Sequence, residues 1–507
     1  MTKQDTQEQL NIAAPDLPRW YPKWRGKPWY DGNQEALAWM FDGIARNVSF
    51  LGAGAFFATA LLRLAKESLG CATEPLEGSI VIPECEGRVL GIKPSSLLTT
   101  YTMIIGVASA LFLPLMGAMV DYTRHRLLFG QITSAIICLC IFPQIFMNED
   151  NFIVMAILQV ISSFVGWAQT ALSHAYLPEL TDDELILNEY NKRYTVVFFS
   201  FGVAFLIVTI AITTVIGYAD NDLVTSQVAM SMAFVVNATL LPLAWGRLFK
   251  RREPMHPLPE DAFLWSAGFV QLYRTGKKIA GNYRGLKWFY LAIAMSDSGI
   301  NALATIAITY NTDVLQFSAL ENGISLIVIL IGCTPGAFLS KYTTEKFDPI
   351  KSSIFALLLL IVATALFAIL IVRPKQFAQT YAIAFFWGMG MGWKWTIDRT
   401  LAALIIPEGQ DAELMGFFLF SGQCLSWVPP LVYTAINEAG VSQRVGLASL
   451  DAYFILSLIC YLLMGGYKQA RIEVGRDKNL EKELKEMPGA ETPHPDCDAI
   501  PNPNDGE

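Results

Sequence analysis

The sequence predicts an all-α membrane protein that crosses the bilayer many times. Three observations carry the prediction. Hydrophobic residues make up 53% of the 507 and charged residues only 16%, against about 25% charged in an average soluble domain. Apolar runs of roughly 20 residues recur along the chain, each long enough to cross a hydrocarbon core of about 30 Å. The runs lack the alternation of barrel strands, which come about 10 residues at a time. Helices are then the remaining way to satisfy backbone polar groups inside lipid.

The runs give twelve spans, at about 37–62, 95–120, 127–147, 152–177, 195–217, 225–247, 288–312, 318–340, 352–372, 378–405, 413–436 and 445–466. The third and ninth are the clearest. The tenth and eleventh are interrupted by polar residues. Residues 1–36 form an N-terminal arm that has no apolar core and does not read as a cleavable signal. Its Trp20, Trp24 and Trp29 alternate with Lys23, Arg25 and Lys27, the pattern of an interfacial anchor. Lys and Arg gather in the loops on the side of this arm, most densely at Arg247, Lys250, Arg251 and Arg252 after span six. That bias puts both ends of the chain in the cytoplasm. The net charge of −8 has little bearing on topology, because acidic residues barely influence it.

The spans divide into two halves, 37–247 and 288–466. Between them lies a cytoplasmic stretch, 248–287, with a basic and proline-rich start. It continues into an amphipathic segment from Phe263 to Tyr283 that sets Phe269, Leu272, Tyr273 and Ile279 against Arg274, Lys277 and Lys278. Such a segment is expected at the membrane surface. The tail, 467–507, is charged and then rich in Pro and Asp, a composition expected to be disordered. Cys71 and Cys85 share the loop after span one on the non-cytoplasmic side; a disulfide and two free thiols are both open. The cysteines within spans read as packing residues.

Span two ends in Gly117-Ala118-Met119-Val120-Asp121, followed by Tyr122-Thr123-Arg124-His125-Arg126. Span eight ends in Gly336-Ala337-Phe338-Leu339-Ser340, followed by Lys341, at the same place in its half. A glycine here lets two helices approach closely. The first loop resembles the Gly-x-x-x-Asp-(Arg/Lys) element of the major facilitator superfamily, with Gly117, Asp121, Arg124, Arg126 and Gly336 as the conformational-switch residues. Tyr122 and Arg124 depart from the usual pattern. The resemblance implies two six-helix halves around a cavity lined by spans one, four, seven and ten.

Polar groups are costly in hydrocarbon and face a cavity or one another. Here they fall on those spans: Asp42, Arg46 and Asn47 on one; Gln159, Gln169 and His174 on four; Ser296, Asp297 and Asn301 on seven; Lys394, Asp398 and Arg399 on ten. Asp42 and Arg46 are four apart and can pair on one helix face, as can Lys394 and Asp398. Each pair is either structural or a substrate contact. Asp297 has no such neighbour and must find a partner on another helix or titrate. His174, before Pro178, is either a hydrogen-bonded packing residue or a proton relay. Gln423 and Trp427, one turn apart on span eleven, either reach the cavity or pack.

Further segments resemble the autophagy-related vacuolar amino-acid effluxer family within that superfamily. They are Ala175-Tyr176-Leu177-Pro178-Glu179-Leu180, Asp297-Ser298-Gly299-Ile300-Asn301, Arg399 with Leu404-Ile405-Ile406-Pro407-Glu408-Gly409, and Gly416-Phe417-Phe418 with Ser426-Trp427-Val428-Pro429-Pro430. Ser298 is an insertion relative to the family's Asp-Gly element, Asp398 and Thr400 replace serines, Leu414-Met415 replaces paired Phe, and Pro429 replaces Gly. The resemblance implies a secondary transporter working by alternating access, moving a small polar metabolite, above all amino acids, across a vacuolar or lysosome-like membrane. A zwitterion's carboxylate would meet Arg46, Lys394 or Arg399, and its ammonium Asp297 or Asp398, with Trp39, Trp393 and Trp395 as apolar or cation–π surface. Asp297 or Asp398 would alternatively carry a coupling proton. The alternatives are a facilitator of another solute, such as a sugar, drug or nucleoside, and a non-transporting sensor or scaffold. The plasma membrane is the alternative location. The expected partners are the solute and membrane lipid, with the chain a monomer. No nucleophile, phosphate loop, metal set or cofactor motif is present, and neither an enzyme nor a nucleic-acid binder is expected.

Overall fold

The computed structural model describes residues 21–24, 27–71, 85, 87–181, 184–252, 263–407 and 411–475. A helix stands at each predicted span. Spans one to six are Gln34–Glu67, Leu97–Tyr122, Arg126–Gln144, Phe152–His174, Glu184–Val215 and Asp222–Leu248. Spans seven to twelve are Arg284–Asp313, Ala319–Lys346, Pro349–Leu370, Phe377–Ile405, Leu414–Glu438 and Gln443–Leu463. Among the described residues, eleven helices are long and apolar enough to cross a membrane. Span ten is not among them. Its 29 residues give about 43 Å of helix, but glycines, tryptophans and the charges Lys394, Asp398 and Arg399 lower its hydropathy.

Span ten, whose apolar run is interrupted by polar residues, is one unbroken helix. Span eleven is broken between Cys424 and Val428. There Pro429 and Pro430 lack the N–H that would continue the first segment and are suited to start a second. Span one carries a π-helical turn, Val48–Ala53. Span five begins at Glu184 rather than near 195 because no Gly or Pro interrupts the polar turns before the apolar run.

Two large hydrophobic cores form. One gathers buried residues from Tyr21 to Phe249, with Ala319 and Leu330; the other runs from Ile279 to Val474. The described part of the N-terminal arm does not lie free at the interface. Lys23–Trp24 and Lys27–Pro28 make a small antiparallel hairpin. The buried Tyr21 hydroxyl donates to the carbonyls of Trp29 and Asn33, and Asn33 donates to the Leu180 carbonyl. Trp20, Arg25 and the tail from 476 lie outside the described residues. The sulfurs of Cys71 and Cys85 are bonded.

The amphipathic segment is the linker helix Leu264–Asn282. It is more than a surface helix. Ala267, Thr275 and Ile279 are buried, and a Cβ at Gly268 would lie 2.0 Å from the Pro114 carbonyl oxygen of span two. The outward face keeps Phe263, Phe269, Val270 and Tyr273 exposed beside Arg274 and Lys277.

Spans eight and ten meet backbone to backbone. Cβ atoms at Gly332 and Gly336 would lie 2.4 and 2.1 Å from the carbonyl oxygens of Phe385 and Met389. Cβ atoms at Gly388 and Gly392 would lie 2.0 and 2.2 Å from those of Ile329 and Cys333. Each helix thus offers two glycines four residues apart, the small-xxx-small spacing by which membrane helices pack closely. Gly117, by contrast, faces open space, so the close approach expected of both loop glycines occurs at Gly336 alone. Gly392→Leu is expected to cost about 1–3 kcal/mol by overpacking, because a backbone carbonyl cannot turn aside. Thermal unfolding of the detergent-purified variant, followed by size exclusion, checks this against Gly117→Leu, which should leave the midpoint unchanged.

Candidate functional site

The intramembrane charges separate into three groups. In the first half, Asp42 is fully buried and both its oxygens accept hydrogen bonds. Its Oδ2 accepts from Arg46 Nε at 2.9 Å. Its Oδ1 accepts from Gln169 Nε2 at 2.6 Å and from Trp245 Nε1 at 2.8 Å. Arg46 also donates to Thr170 Oγ1 at 2.5 Å and Ser173 Oγ at 3.2 Å, and Gln169 to Ser134 Oγ at 3.1 Å. One carboxylate thereby ties spans one, three, four and six. His174 Nδ1 lies 2.8 Å from the Thr170 carbonyl oxygen, and its ring meets Trp39 edge-on at 6.0 Å. That is the packing arrangement of the two foreseen for it. Trp39 is itself buried, stacked at 3.9 Å on Tyr194 of span five.

In the second half, Lys394 is fully buried and pairs with Asp398 one turn on. The Tyr461 hydroxyl of span twelve completes a triangle, donating to Asp398 Oδ1 at 2.8 Å and lying 3.1 Å from Lys394 Nζ. The ammonium sits 4.9 Å from the Tyr461 ring centre, a cation–π contact within the half. Trp393 is buried and donates to Ser352 Oγ at 2.9 Å, and Trp395 packs on the second core.

Asp297 and Arg399 form the third group. Among the described residues neither has an ion pair or a hydrogen bond, and Asp297 Oδ1 is buried without a partner. Arg399 is exposed, on a face of span ten that also exposes Thr396, Thr400 and Ala403. Its charge acts on His174 and Tyr194 of the first half and on Asp297 of the second, which Asp398 and Lys394 also face, more strongly. That face therefore looks across the seam between the halves. Asp297, Asn301 and Thr305 follow one another at four-residue spacing on span seven, one face of the helix. Asn301 Nδ2 reaches the Gly422 carbonyl at 3.5 Å, and a Cβ on Gly422 would lie 2.7 Å from Asp297 Oδ2. Glycine on span eleven is what leaves room for the carboxylate. Gln423 is half-buried on the neighbouring turn. Trp427 donates to the Cys424 carbonyl at 3.2 Å, and its backbone packs on Gly106 of span two.

The halves join at the end of the bundle away from the chain termini. Thr102 Oγ1 donates to Thr305 Oγ1 at 3.3 Å, and the Thr99 and Thr434 hydroxyls are 2.7 Å apart. Further out, Glu438 accepts from the Lys93 amide at 2.8 Å and from Arg88 at 3.0 Å. Lys66 pairs with Asp313 at 2.6 Å, Asp222 accepts from the Ala319 amide at 2.6 Å, and Asn322 donates to Thr59 at 3.1 Å. At the opposite end the linker helix bridges span two and span eleven, through Gly268 on Pro114 and Gly276 near Phe417. In the switch loop, Arg126 is buried and grips the end of span four, 2.9 Å from Glu179 Oε1 and 5.1 Å from the Tyr176 ring centre. The side chain of Asp121 lies outside the described residues.

Spacing within a helix gave both ion pairs. It gave no sign of Trp245, Tyr461 or Tyr194, which stand on spans six, twelve and five and reach the networks only through tertiary packing.

Two six-helix halves closed at one end around unpaired polar groups define a transporter of the major facilitator class. Solved structures with this fold include the human organic anion transporter MFSD10, with TM-score 0.56, 16% identity, and 87% of this chain and 100% of that one covered. The nucleoside transporter NupG aligns with TM-score 0.55, 12% identity, and 85% and 100% covered. The xylose transporter XylE from E. coli, in an inward-open conformation, aligns with TM-score 0.53, 14% identity, and 85% and 94% covered. No curated protein matches the chain in sequence. The family described as "Vacuole effluxer Atg22 like" matches residues 31–473, and the chain belongs to it.

The Lys394–Asp398–Tyr461 triangle makes a stability prediction. Lys394→Met leaves Asp398 buried without its counter-charge and is expected to destabilise by about 3–5 kcal/mol. The double variant Lys394→Met, Asp398→Leu removes both charges and should recover most of that loss. Thermal midpoints of the two purified variants decide it; an equal loss in both would show that the loss does not arise from the unpaired charge of Asp398.

Proposed function

We propose that the chain is a secondary transporter of amino acids, working by alternating access. The supporting observation is that Asp297 and Arg399 stand as unpaired opposite charges at the seam, while Asp42 with Arg46 and Lys394 with Asp398 are satisfied within their own halves. A zwitterion presents both complements. Arg399 offers a planar fork for the carboxylate. Asp297 takes the ammonium, or a proton when the substrate has left, which would couple transport to a pH gradient. Arg46, Lys394 and Asp398 leave the list of direct contacts, because each is held by neighbours on its own half.

The excess of Lys and Arg at the end bearing the termini assigns that end to the cytoplasm. The latches at the far end then correspond to a state closed toward the non-cytoplasmic side, with Arg399 reachable from the cytosol. The family's description points to a vacuolar membrane, and the direction to release from the compartment into the cytosol. The protein is taken to act as a monomer, since each chain carries both halves.

Proteoliposomes of purified protein, a panel of labelled amino acids and an imposed pH gradient test the reading. Saturable flux of one class, raised by the gradient, is expected. Asp297→Asn and Arg399→Gln should each lower it by about 30-fold or more, the scale of an unpaired charge left in a binding site, at unchanged thermal midpoint. Folded protein that carries no amino acid, or variants that carry them undiminished, would overturn it. Alternating access makes a second prediction. Cysteines at Thr99 and Thr434, whose hydroxyls touch, should cross-link on oxidation and stop flux, and reductant should restore it.

A further inference from the structure

Away from the seam, the outer wall of the first half carries a groove of about 620 Å³ between spans three and six. Its walls are apolar, with Ala135, Leu139, Phe142, Phe234 and Ala238 among them. It opens outward: Leu139 and Phe142 are exposed, and Ala135 and Ala238 beside them are exposed too. In a membrane protein that opening faces acyl chains. At the terminus-bearing end of the groove, span six does not finish as a regular helix. Pro242 removes one backbone donor, and Ala244–Leu248 winds as a π-helix. Gln131 of span three donates to the Trp245 carbonyl at 3.0 Å and closes the floor. A Cβ at Gly130 would lie 1.9 Å from the Trp245 ring, so the indole fills the space between the two helices at this level.

At the terminus-bearing end the groove is lined by Gly246, and the next residue in the chain is Arg247, the first of a basic cluster. In the cluster from Arg247 to Arg252, Arg252 is engaged by Glu35 at 2.5 Å and by Glu179 at 3.4 Å. Arg247 and Arg251 are exposed and have no ion pair or hydrogen bond among the described residues. An apolar slot that ends, at the headgroup level, in unpaired guanidinium groups has one complement in a bilayer. We infer that this groove binds an anionic glycerophospholipid, one acyl chain between spans three and six and its phosphate at Arg247. The apolar slot excludes a free phosphate as the natural occupant, and the charge at its mouth favours an anionic over a zwitterionic headgroup.

The site touches the transport machinery from behind. Ser134 and Trp245, both in the groove wall, are the groups that hold Gln169 and Asp42. A lipid seated there packs against the outer side of the network that fixes spans one and four. This inference is independent of the substrate.

Native mass spectrometry of the purified full-length protein, titrated with phosphatidylserine or phosphatidylcholine of identical chains, tests it. Phosphatidylserine should be retained about five-fold more tightly, the effect of one basic residue at a membrane surface. Arg247→Gln should remove that preference while leaving phosphatidylcholine retention unchanged. Ala238→Trp, which fills the slot from an exposed position and leaves the core untouched, should weaken retention of both lipids, with the thermal midpoint reporting that the fold is intact. Equal retention of the two lipids by the native protein would overturn the proposal. So would an Ala238→Trp variant that holds lipid as the native protein does, or an Arg247→Gln variant that keeps the preference.

Discussion

The cost of a charge in hydrocarbon governs this structure. A charged residue at the centre of a spanning helix costs about 2.5–3.5 kcal/mol by insertion, and an ion stripped of both water and partner costs several kcal/mol more. Five such residues stand on spans one and ten alone: Asp42, Arg46, Lys394, Asp398 and Arg399. Four of them are neutralised within their own helix, at a spacing of four residues, and then by groups from other helices. Asp42 takes the indole N–H of Trp245 and the amide of Gln169, and Asp398 takes the hydroxyl of Tyr461. These further bonds are not optional. An ion pair on one helix face uses one or two lone pairs of a carboxylate, and those left over are satisfied only if neighbouring helices bring donors. The need for donors therefore fixes which helices stand together.

Two consequences follow for the halves. Each carries its own charge network, one tying spans one, three, four and six, the other spans ten and twelve. In the second half the glycine seam of spans eight and ten adds backbone contact without polar atoms. Each half is thereby cross-braced internally, and a rigid half is what a rocking mechanism requires. The seam between halves is built differently. Near Asp297 and Arg399 the charges are left unmet by protein, and toward the far end the contacts are hydroxyl pairs, helix-end amides and ion pairs. A charge left unpaired at a seam, beside neighbours neutralised within each half, is what the proposed function assigns to a ligand or a proton.

Much of the fold was legible because hydropathy records it directly: a helix stands at each run predicted to span. Span ten was legible by length although its composition is poor, since the residues that lower its hydropathy are glycines that pack on span eight, buried tryptophans and charges that pair within the half. The candidate site was legible only in part. Asp42 with Arg46 and Lys394 with Asp398 show in the sequence as pairs four apart, but spacing cannot tell a completed network from an open one. That distinction rests on Trp245, Gln169 and Tyr461, more than 60 residues away from the groups they satisfy. Trp39 and Trp393 looked like cavity aromatics for the same reason: an aromatic on a cavity helix carries no mark of which way it turns. Both turn into packing, Trp39 onto Tyr194 and Trp393 toward Ser352. The linker helix showed its amphipathic pattern, yet Gly268, which seats it on span two, had no neighbour in sequence to reveal that contact.

The latches at the far end set the energy scale on which the halves can part. Arg88 and Glu438 are 53% and 22% exposed, and ion pairs near water are worth about 0.2–1 kcal/mol. Lys66 and Asp313 are 12% and 5% exposed, so their pair is drier, but it sits at the helix ends where water replaces the partner once the halves separate. The Thr99–Thr434 and Thr102–Thr305 contacts are neutral hydrogen bonds of about 1 kcal/mol each, net of water. Summed, these contacts amount to a few kcal/mol, far less than the cost of dismantling either internal network. The closed end is thus held by polar contacts each of which is individually weak. A ligand needs a differential affinity of only a few kcal/mol to shift such an equilibrium from one state to the other. Under the proposed function, the unpaired charges at the seam are what would supply it, and the networks inside each half would survive the motion.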